Sequence, residues 1–362
     1  MILIEWLFVD DSGEERAAFA NALTVADDLL ITGISATDAK ALLNANALRP
    51  TGVLMDVDLS NETGMQSTGP GLSQDMRVAQ QRQDIPSFPI VRFSYRTKVE
   101  QNIGHDTSSD DLFDLKIDKD GVAAATLDAV RSKLRGVAAV YSAVGESVSA
   151  SGVLGLNEEI WEAWGHPTFA EDLAIADRTY LRAMPLVRAL MHPGFLINED
   201  LLAIRLGLDR HASSGWAAVL AELEQAKYQG VAAQYFQRWW ARGLEAWWAE
   251  LGGDCTPLAG NSIGERFARL SDRFSQLVAL SMPTGSWGDR PWRHCSLTLE
   301  HTGEFLPLDP ARSVRFKSRS KLPDWLDPLY AALGPAVRAA GDARLDKDDL
   351  ERLSLLARKT PT

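Results

Sequence analysis

The sequence predicts an α/β protein: a doubly wound parallel sheet comes first, followed by a mainly helical domain. Over residues 1–135, five short apolar segments alternate with segments of helical periodicity. This alternation is typical of a parallel sheet with helices on both faces. Residues 136–156 are small and weakly polar, which indicates a linker. Residues 157–362 carry longer helical patterns and a small β element, so we expect a second domain there.

The elements of the first domain follow from the hydrophobic pattern. Predicted strands cover residues 2–9, 29–34, 52–59, 89–94 and 112–118. Predicted helices cover residues 14–25, 36–48, 72–83 and 122–133, with a short or irregular helix within 97–109. A polar, glycine-rich loop at residues 60–71 follows the third strand. Right-handed crossovers would place these helices on both faces of the five-stranded sheet.

The second domain is predicted from longer periodic stretches. Helices are expected over residues 173–191, 198–206, 214–229, 231–251, 262–280, 325–340 and 347–359. Alternation in CSLTLEH and in SVRFKSRSK predicts two strands within 285–320. The pairs Trp239-Trp240 and Trp247-Trp248 lie eight residues apart, which would place them on one face of an aromatic helix. Core packing is the favoured interpretation of that face, and a surface that binds another protein is the alternative.

Charge and composition narrow the function classes. The net charge is −12, and residues 1–150 hold 22 acidic and 13 basic residues, a balance of −9. Neither part has the basic excess that drives non-specific nucleic-acid binding, so nucleic acid is not the favoured partner. No run of eighteen apolar residues occurs, so we expect no membrane span. Two cysteines make no disulfide framework, and a cytoplasmic location is expected.

Polar residues follow the strands of the predicted sheet. Asp10 and Asp11 follow the first strand, Asp56 lies in the third, Ser94 ends the fourth, and a lysine follows or ends the fifth. Ligands of such sheets bind beyond the carboxyl ends of the strands. Three carboxylates repel one another unless a cation lies among them, and carboxylate oxygens suit Mg²⁺. With the cation bound, one carboxylate could attack a phosphoryl donor.

Residues 1–135 resemble the receiver domains of two-component response regulators. FVDDS matches the acidic pair, LMDVDL the phosphoacceptor segment, and PIVRFSY the fourth strand with its switch hydroxyl. The resemblance implies a flavodoxin-like fold, Mg²⁺ as cofactor, and a histidine kinase or phosphotransfer protein as partner. The implied metal site consists of Asp10, Asp11, Asp56 and, through its backbone carbonyl, Asp58. The residues implied in phosphoryl transfer are Asp56 as the nucleophile, Ser94 and Lys119.

Two lysines compete for the position near the end of the fifth strand. Lys119 precedes GVAAATLDAVR with the spacing that the family shows, and Ile117 fills the apolar position two residues before it. Lys116 has Phe113 three residues before it, where the family usually carries an aromatic residue. Lys119 is preferred, and Lys116 is the alternative.

The chain also departs from the family pattern. Ser60 replaces a common proline, the loop at residues 60–71 is long, and Tyr95 stands where a small residue usually leaves access to the acceptor. These departures keep open a pseudo-receiver scaffold that binds proteins without phosphorylation. Each acidic residue also has a plainer interpretation, because Asp is a common cap where a strand leads into a helix.

The second domain would be the output in this family. Residues 198–223 have two helical segments around a Leu-Gly-Leu turn, like a helix-turn-helix. A DNA-binding regulator is therefore a further alternative, as is an unrecognised catalytic domain. His294, Cys295, His301 and Cys255 fit no common zinc-finger spacing. The prediction as a whole is a response-regulator-like signalling protein that is phosphorylated on Asp56.

Overall fold

The computed structural model describes residues 3–60, 68–102, 110–145, 149–175, 178–252, 256–283, 288–317 and 322–359. The chain divides into two compact units. The first unit comprises Met1–Gly155, Ala170–Arg188 and Gly230–Phe236. The second unit comprises Leu156–Phe169, Ala189–Gln229 and Gln237–Thr362.

The first unit is built on a five-stranded parallel sheet. Its strands are β1 (Ile4–Val9), β2 (Leu29–Ile34), β3 (Gly52–Met55), β4 (Ile90–Ser94) and β5 (Leu115–Asp118). They pair in the order β2-β1-β3-β4-β5, and every pairing is parallel. This order is that of the flavodoxin-like fold, in which the strand order switches between β1 and β3. The predicted fold class is therefore confirmed.

Helices cover both faces of this sheet. The helices whose residues pack on the sheet are α1 (Gly13–Leu23), α2 (Ala36–Asn44), α3 (Gly69–Arg82) and α5 (Leu127–Gly145). Two further helices of this part of the chain are α4 (Arg96–Asn102) and α6 (Ala150–Leu154). Successive residues of a strand face opposite sides. Val53 and Met55 accordingly share a core with residues of α2 and α3, whereas Leu54 packs in the core formed with α1 and α5. The sheet thus separates two apolar cores.

Serine and threonine side chains begin the first three helices. Ser12, Ser35 and Thr68 each accept a hydrogen bond from the backbone N–H three residues later. Such caps satisfy donors that the first helical turn leaves without intrahelical partners. The turn from β1 into α1 is therefore fixed directly beside Asp10 and Asp11.

The helix α5 differs from its prediction. It extends from Leu127 to Gly145 and so includes the first half of the predicted linker. Val137, Tyr141 and Val144 continue its buried stripe at helical spacing, which small residues alone did not make evident. The remainder of the predicted linker contains α6. Residues 146–148 lie outside the described part of the chain.

The rest of the chain is mainly helical. Its helices are α7 (Glu158–Trp164), α8 (Pro167–Ile175), α9 (Thr179–Met191), α10 (Glu199–Leu206), α11 (Trp216–Glu222), α12 (Ala241–Gly252), α13 (Ile263–Ser271), α14 (Ser296–Thr302), α15 (Leu333–Arg338) and α16 (Lys347–Lys359). Three antiparallel two-stranded ribbons join β6 (Leu196–Ile197) to β7 (Trp239–Trp240), β8 (Arg293–His294) to β9 (Pro307–Leu308), and β10 (Val314–Arg315) to β11 (Tyr330–Ala331). This composition agrees with a helical domain that contains a small β element.

Several predictions for this region were wrong. The helix expected over residues 325–340 contains β11, and only α15 is helical there. The aromatic helix over residues 231–251 does not form as one element, because Trp239 and Trp240 lie in β7 and only Trp247 and Trp248 lie in α12. Trp239, Trp240 and Trp248 are buried, so they form core and offer no surface to a partner protein. CSLTLEH forms helix α14 instead of a strand. Alternation over so few residues does not distinguish a strand from a short helix.

Within the described ranges, none of the helices combines the length and the apolar character that crossing a bilayer requires.

Candidate functional site

Three aspartates meet at the carboxyl ends of β1 and β3. Asp10 and Asp11 follow β1, Asp56 follows β3, and each side chain offers an oxygen within 4.8 Å of those of the other two. We call these three residues the acidic cluster. All three side chains are inaccessible to solvent. The cluster lies where the strand order switches, which is where ligands bind in sheets of this kind.

The backbone around the cluster fixes two of its carboxylates. Asp10 Oδ1 accepts a hydrogen bond from the backbone N–H of Ser12 at 2.7 Å, and Arg16 donates to the Asp10 carbonyl. Asp56 Oδ1 accepts from the backbone N–H of Val57 at 2.8 Å. One oxygen of each carboxylate is thereby oriented, which leaves the other oxygen to face the cluster.

Gly69, at the start of α3, explains how closely the chain packs around Asp56. A Cβ atom at position 69 would lie 1.8 Å from the Asp56 carbonyl oxygen. The backbone N–H of Gly69 donates to the Val57 carbonyl at 2.9 Å. Only glycine allows this close approach of two backbone segments.

Lys119 is the buried cation of the site. It follows β5, its side chain is inaccessible to solvent, and Nζ lies 2.5 Å from Asp10 Oδ2, 2.8 Å from Glu15 Oε2 and 3.4 Å from Asp56 Oδ2. Lys116, the alternative from sequence, is exposed on β5. Four aromatic rings surround the ammonium with centroids 5.2–5.8 Å from Nζ: those of Phe8, Phe19, Phe93 and Tyr95. Their faces attract a cation and exclude water from it.

Burial and neighbouring charges shift the pKa values of this pair. Burial, together with the charge of Asp56, raises the pKa of Asp10 to about 6 against the opposing effect of Lys119. Burial alone would lower the pKa of Lys119, but the charges of Asp56 and Asp10 outweigh it and raise that pKa. Lys119 therefore stays protonated, whereas Asp10 is a carboxylate whose ionised form is disfavoured mainly by its burial.

Lys98 is a second cation at the cluster, and the sequence analysis missed it. Its Nζ lies 3.0 Å from Asp56 Oδ2 and 4.0 Å from Asp11 Oδ1, and its side chain is 22% exposed. Lys98 lies in α4, four residues after Ser94. The one signal in the sequence is this spacing, which places Lys98 about one helical turn beyond the end of β4.

Ser94 supplies a hydroxyl without a partner. It ends β4, pairs in register with Asp118 of β5 and is completely buried. Its Oγ makes no hydrogen bond within the described part of the chain. Leaving a buried hydroxyl unsatisfied costs about 1–3 kcal/mol, so Ser94 is suited to donate to an oxygen of a bound group.

Asp58 and Tyr95 are close to cluster residues in sequence, but their side chains are not part of the acidic cluster. Asp58 Oδ1 accepts from the backbone N–H of Ser60 at 3.1 Å, and its carboxylate is not part of the acidic cluster. The role predicted for Asp58 involves its backbone carbonyl and stays a prediction. Tyr95 is half-buried beside Lys119. Burial and the charge of Glu15 raise the pKa of Tyr95, so its hydroxyl is neutral near neutral pH.

The donor set fits Mg²⁺ and a phosphoryl group. Hard carboxylate oxygens are the ligands that Mg²⁺ prefers, and the ion commonly binds one or two carboxylates together with water and phosphate. A cation at the cluster would neutralise carboxylates that Lys98 and Lys119 neutralise only in part. Among the described residues, the acidic cluster alone brings three potential ligand side chains this close together. Cys255, considered for zinc, lies outside the described residues.

Comparisons with known proteins give limited likenesses. No protein-family model and no curated protein matches the chain. A CheY-like response regulator receiver domain from Methylobacillus flagellatus is similar at 18% identity over 37% of this chain and 99% of its own, with a TM-score of 0.27. RcsB from Salmonella enterica serovar Typhimurium, bound to promoter rprA in the presence of the phosphomimetic BeF3−, is similar at 12% identity over 49% of this chain and 97% of its own, with a TM-score of 0.26. Likenesses at this level leave the function to be argued from the site itself.

Proposed function

We propose that the first unit is a receiver-like domain that accepts a phosphoryl group on Asp56 when Mg²⁺ is bound at the acidic cluster. The observation that carries this proposal is one buried site with three carboxylates, the ammonium of Lys119 and the unpartnered hydroxyl of Ser94. Phosphoryl transfer requires a nucleophile, a metal and donors for the phosphoryl oxygens. Asp56 is the nucleophile in this proposal, the acidic cluster would hold the metal, and Lys119 and Ser94 would be the donors.

The proposed reaction divides the work among the residues. A carboxylate oxygen of Asp56 attacks phosphorus while the bond from phosphorus to the donor's nitrogen or oxygen breaks, and the donor leaves with that electron pair. Lys119 already contacts Asp56 Oδ2 and stays protonated, so its ammonium would bind a phosphoryl oxygen. The Ser94 hydroxyl would donate to another. Bound Mg²⁺ would supply positive charge that stabilises the transferring phosphoryl group.

The proposed partners follow from this chemistry. A histidine kinase, a phosphotransfer protein or a small acyl phosphate would supply the phosphoryl group. The second unit would be the output whose contacts change with the charge at Asp56. DNA is not proposed as its ligand, because α11, the second helix of the predicted helix-turn-helix, carries no basic residue and buries Trp216 and Val219.

Labelling of the full chain with radioactive acetyl phosphate tests the proposal. Wild type is expected to take up label that depends on Mg²⁺, and Asp56→Ala is expected to take up none. Asp58→Asn is the matched control: it changes a carboxylate outside the acidic cluster and keeps the backbone carbonyl, so it should retain label. Equal labelling of wild type and Asp56→Ala, or no label on wild type, would contradict the proposal.

The second candidate function is a pseudo-receiver scaffold that binds another protein without phosphorylation. The observation that favours it is the contact of Lys98 with Asp56, because an ammonium already neutralises the acceptor carboxylate. In that case Lys98 would be a permanent structural partner of Asp56. Absence of Mg²⁺-dependent label from wild type, together with loss of stability in Lys98→Met, would support the scaffold.

A further inference from the structure

A separate cavity lies in the second unit. Its volume is about 170 Å³, and its walls come from the end of α9, from β6, from α14 and from the neighbouring chain. An apolar cavity of about 150 Å³ is known to hold benzene, so this one has room for a single six-membered ring with a small substituent. Most of the wall is apolar, and it is formed by Met191, Pro193, Leu196, Leu299, Phe305 and Leu329.

Two polar side chains in the wall lack hydrogen-bond partners. His294 and Ser296 are 7% and 6% exposed, and both line the cavity. His294 Nδ1 is buried without a partner. The Ser296 hydroxyl, which is not among the fully buried atoms, makes no hydrogen bond among the described residues. They flank Cys295, whose backbone is extended, so their side chains leave the chain on the same side. A buried imidazole nitrogen is normally satisfied, and a ligand hydroxyl in the cavity could hydrogen-bond with the imidazole and with the Ser296 hydroxyl.

The charged residues of the wall are already engaged. Arg238 donates to the carbonyls of Leu190 and Gln237 at 2.7 and 2.8 Å, and Glu300 pairs with Arg344 at 3.0 Å. Burial, with the positive charge of Arg293 nearby, lowers the pKa of His294 to about 4, so its imidazole is neutral near neutral pH. Arg238 and Glu300 therefore have hydrogen-bonding groups that are already in use, whereas a neutral ligand would find one donor and one acceptor on the imidazole.

We propose that this cavity binds an uncharged, single-ring aromatic molecule whose hydroxyl or similar group hydrogen-bonds with Ser296 and His294. The ring would contact the apolar wall, and its edge or face would pack near Phe305, which already meets the His294 ring with centroids 5.1 Å apart. This ligand site is independent of the acidic cluster and does not rest on phosphorylation.

Calorimetric titration of the full chain with phenol tests the proposal, with toluene and benzoate as comparison ligands. Phenol is expected to bind saturably. Toluene has a similar shape but no hydroxyl, and it should bind about five- to tenfold more weakly, as expected for loss of one or two hydrogen bonds. Ser296→Ala should lower the affinity for phenol and leave the affinity for toluene nearly unchanged. The difference between the two affinities should therefore be smaller than in wild type. Thr298→Ala, two residues along α14 and outside the cavity wall, is the matched control.

A second variant fills the cavity. Leu299→Trp is expected to abolish phenol binding, whereas Leu355→Trp, an exposed leucine of α16, should not affect it. If Leu299→Trp does not fold, the affinities of Ser296→Ala for phenol and toluene, compared with those of wild type, test the proposed site. Equal binding of phenol and toluene to wild type, tighter binding of benzoate than of phenol, or no saturable binding of phenol would each overturn the proposal.

Discussion

Single residues of the acidic cluster have properties that only their surroundings explain. Asp10, Asp11, Asp56 and Glu15 carry four negative charges, and the ammonium groups of Lys98 and Lys119 that contact them carry two positive charges. Burial makes the remaining negative charge costly. Burial, with a smaller contribution from the charge of Asp56, raises the pKa of Asp10 to about 6 although Lys119 opposes the shift.

The raised pKa predicts how Mg²⁺ binding depends on pH. Mg²⁺ needs the ionised carboxylate, so its apparent affinity should fall about tenfold from pH 7 to pH 5, as Asp10 is protonated. Calorimetric titration with MgCl₂ at both pH values measures this. Asp10→Asn should remove most of the pH dependence along with much of the affinity. An affinity that is the same at pH 5 and pH 7 would contradict the assignment.

Without metal, the raised pKa of Asp10 makes the folded state more stable at low pH, whereas Mg²⁺ affinity is higher at high pH. The folded pKa of Asp10, about 6, is higher than its ordinary value of 3.8, so protonation favours the folded state. Without Mg²⁺, stability should be lost as the pH rises from about 4 through about 6. Of the roughly 3 kcal/mol lost in total, about 2 kcal/mol falls between pH 4.5 and pH 7. Urea unfolding at pH 4.5 and pH 7 in EDTA measures this, and saturating Mg²⁺ should reverse the loss.

Lys98 competes with Mg²⁺ for the same oxygens in this account. Lys98→Met keeps an apolar stem of similar length and removes a charge 3.0 Å from Asp56. At this distance two unit charges near a protein surface interact by several kcal/mol, so Mg²⁺ affinity should rise at least about tenfold. Lys40→Met is the control, since Lys40 pairs with Asp75 on the surface. Unchanged or weaker Mg²⁺ binding in Lys98→Met would show that Lys98 is not a competitor.

Most of the cluster could be predicted from sequence, because each member stands at the end of a strand. Asp10, Asp11 and Asp56 needed only the strand pattern and the rule that parallel strands end at one edge, whereas the preference for Lys119 over Lys116 rested on the resemblance to receiver domains. Lys98 could not be found that way, because it reaches the cluster from a helix whose start and direction the local pattern left open. The pKa of Asp10 also depends on distances that only the fold determines.

Among the elements, α5 shows how a buried polar network extends a domain beyond its predicted end. Tyr141 of α5 donates to Asp114 Oδ1 at 2.8 Å, and Arg77 of α3 donates to Asp114 Oδ2 at 2.6 Å. The backbone N–H of Ile90 also donates to Asp114 Oδ2 at 2.8 Å. Asp114, which lies just before β5, thus connects two helices with β4, and all three side chains are buried.

Removal of Asp114 is predicted to destabilise the protein strongly. Asp114→Ala leaves the Arg77 guanidinium buried without its charge partner, which costs about 3–5 kcal/mol. Tyr141→Phe removes the hydrogen bond that the hydroxyl donates to Asp114 and the one that it accepts from Arg77, and it keeps the ring, so it should cost about 2 kcal/mol. Urea unfolding followed by circular dichroism measures both. Similar losses in the two variants would show that the ion pair is not the main component of the network.

The elements also show where sequence patterns lose information. The strands of the parallel sheet were predicted within a few residues. Each strand is a short apolar segment, and the helices beside it are recognised by apolar residues every three to four positions. The ribbons β6–β7 and β8–β9 have two residues per strand, which is too short for any period to be read. Trp239 and Trp240 are both buried in such a ribbon, and the apparent helical repeat with Trp247 and Trp248 was a coincidence of spacing.

For the whole molecule, the proposed signal must connect phosphorylation in the first unit with a change in the second. A ligand shifts a conformational equilibrium only if it binds the two states with different affinity. Phosphorylation of Asp56 would replace its contacts with Lys98 and Lys119 by contacts of the phosphoryl group, and Lys98 lies on α4. Helix α4 is therefore the element whose position the charge at Asp56 would change first.

Hydrogen exchange of the full chain tests whether this change extends further. With Mg²⁺ and acetyl phosphate, exchange should slow at the segments that follow β1, β3 and β4, and it should also change in residues of the second unit. Asp56→Ala should show neither the slower exchange in the first unit nor the change in the second. Wild type with Mg²⁺ alone should show only the slower exchange in the first unit, because Mg²⁺ adds charge at the cluster without adding a group that Ser94 can bind. If changes on phosphorylation stay within the three segments of the first unit, the receiver-like domain does not switch the second unit. The output role would then be wrong even if Asp56 is phosphorylated.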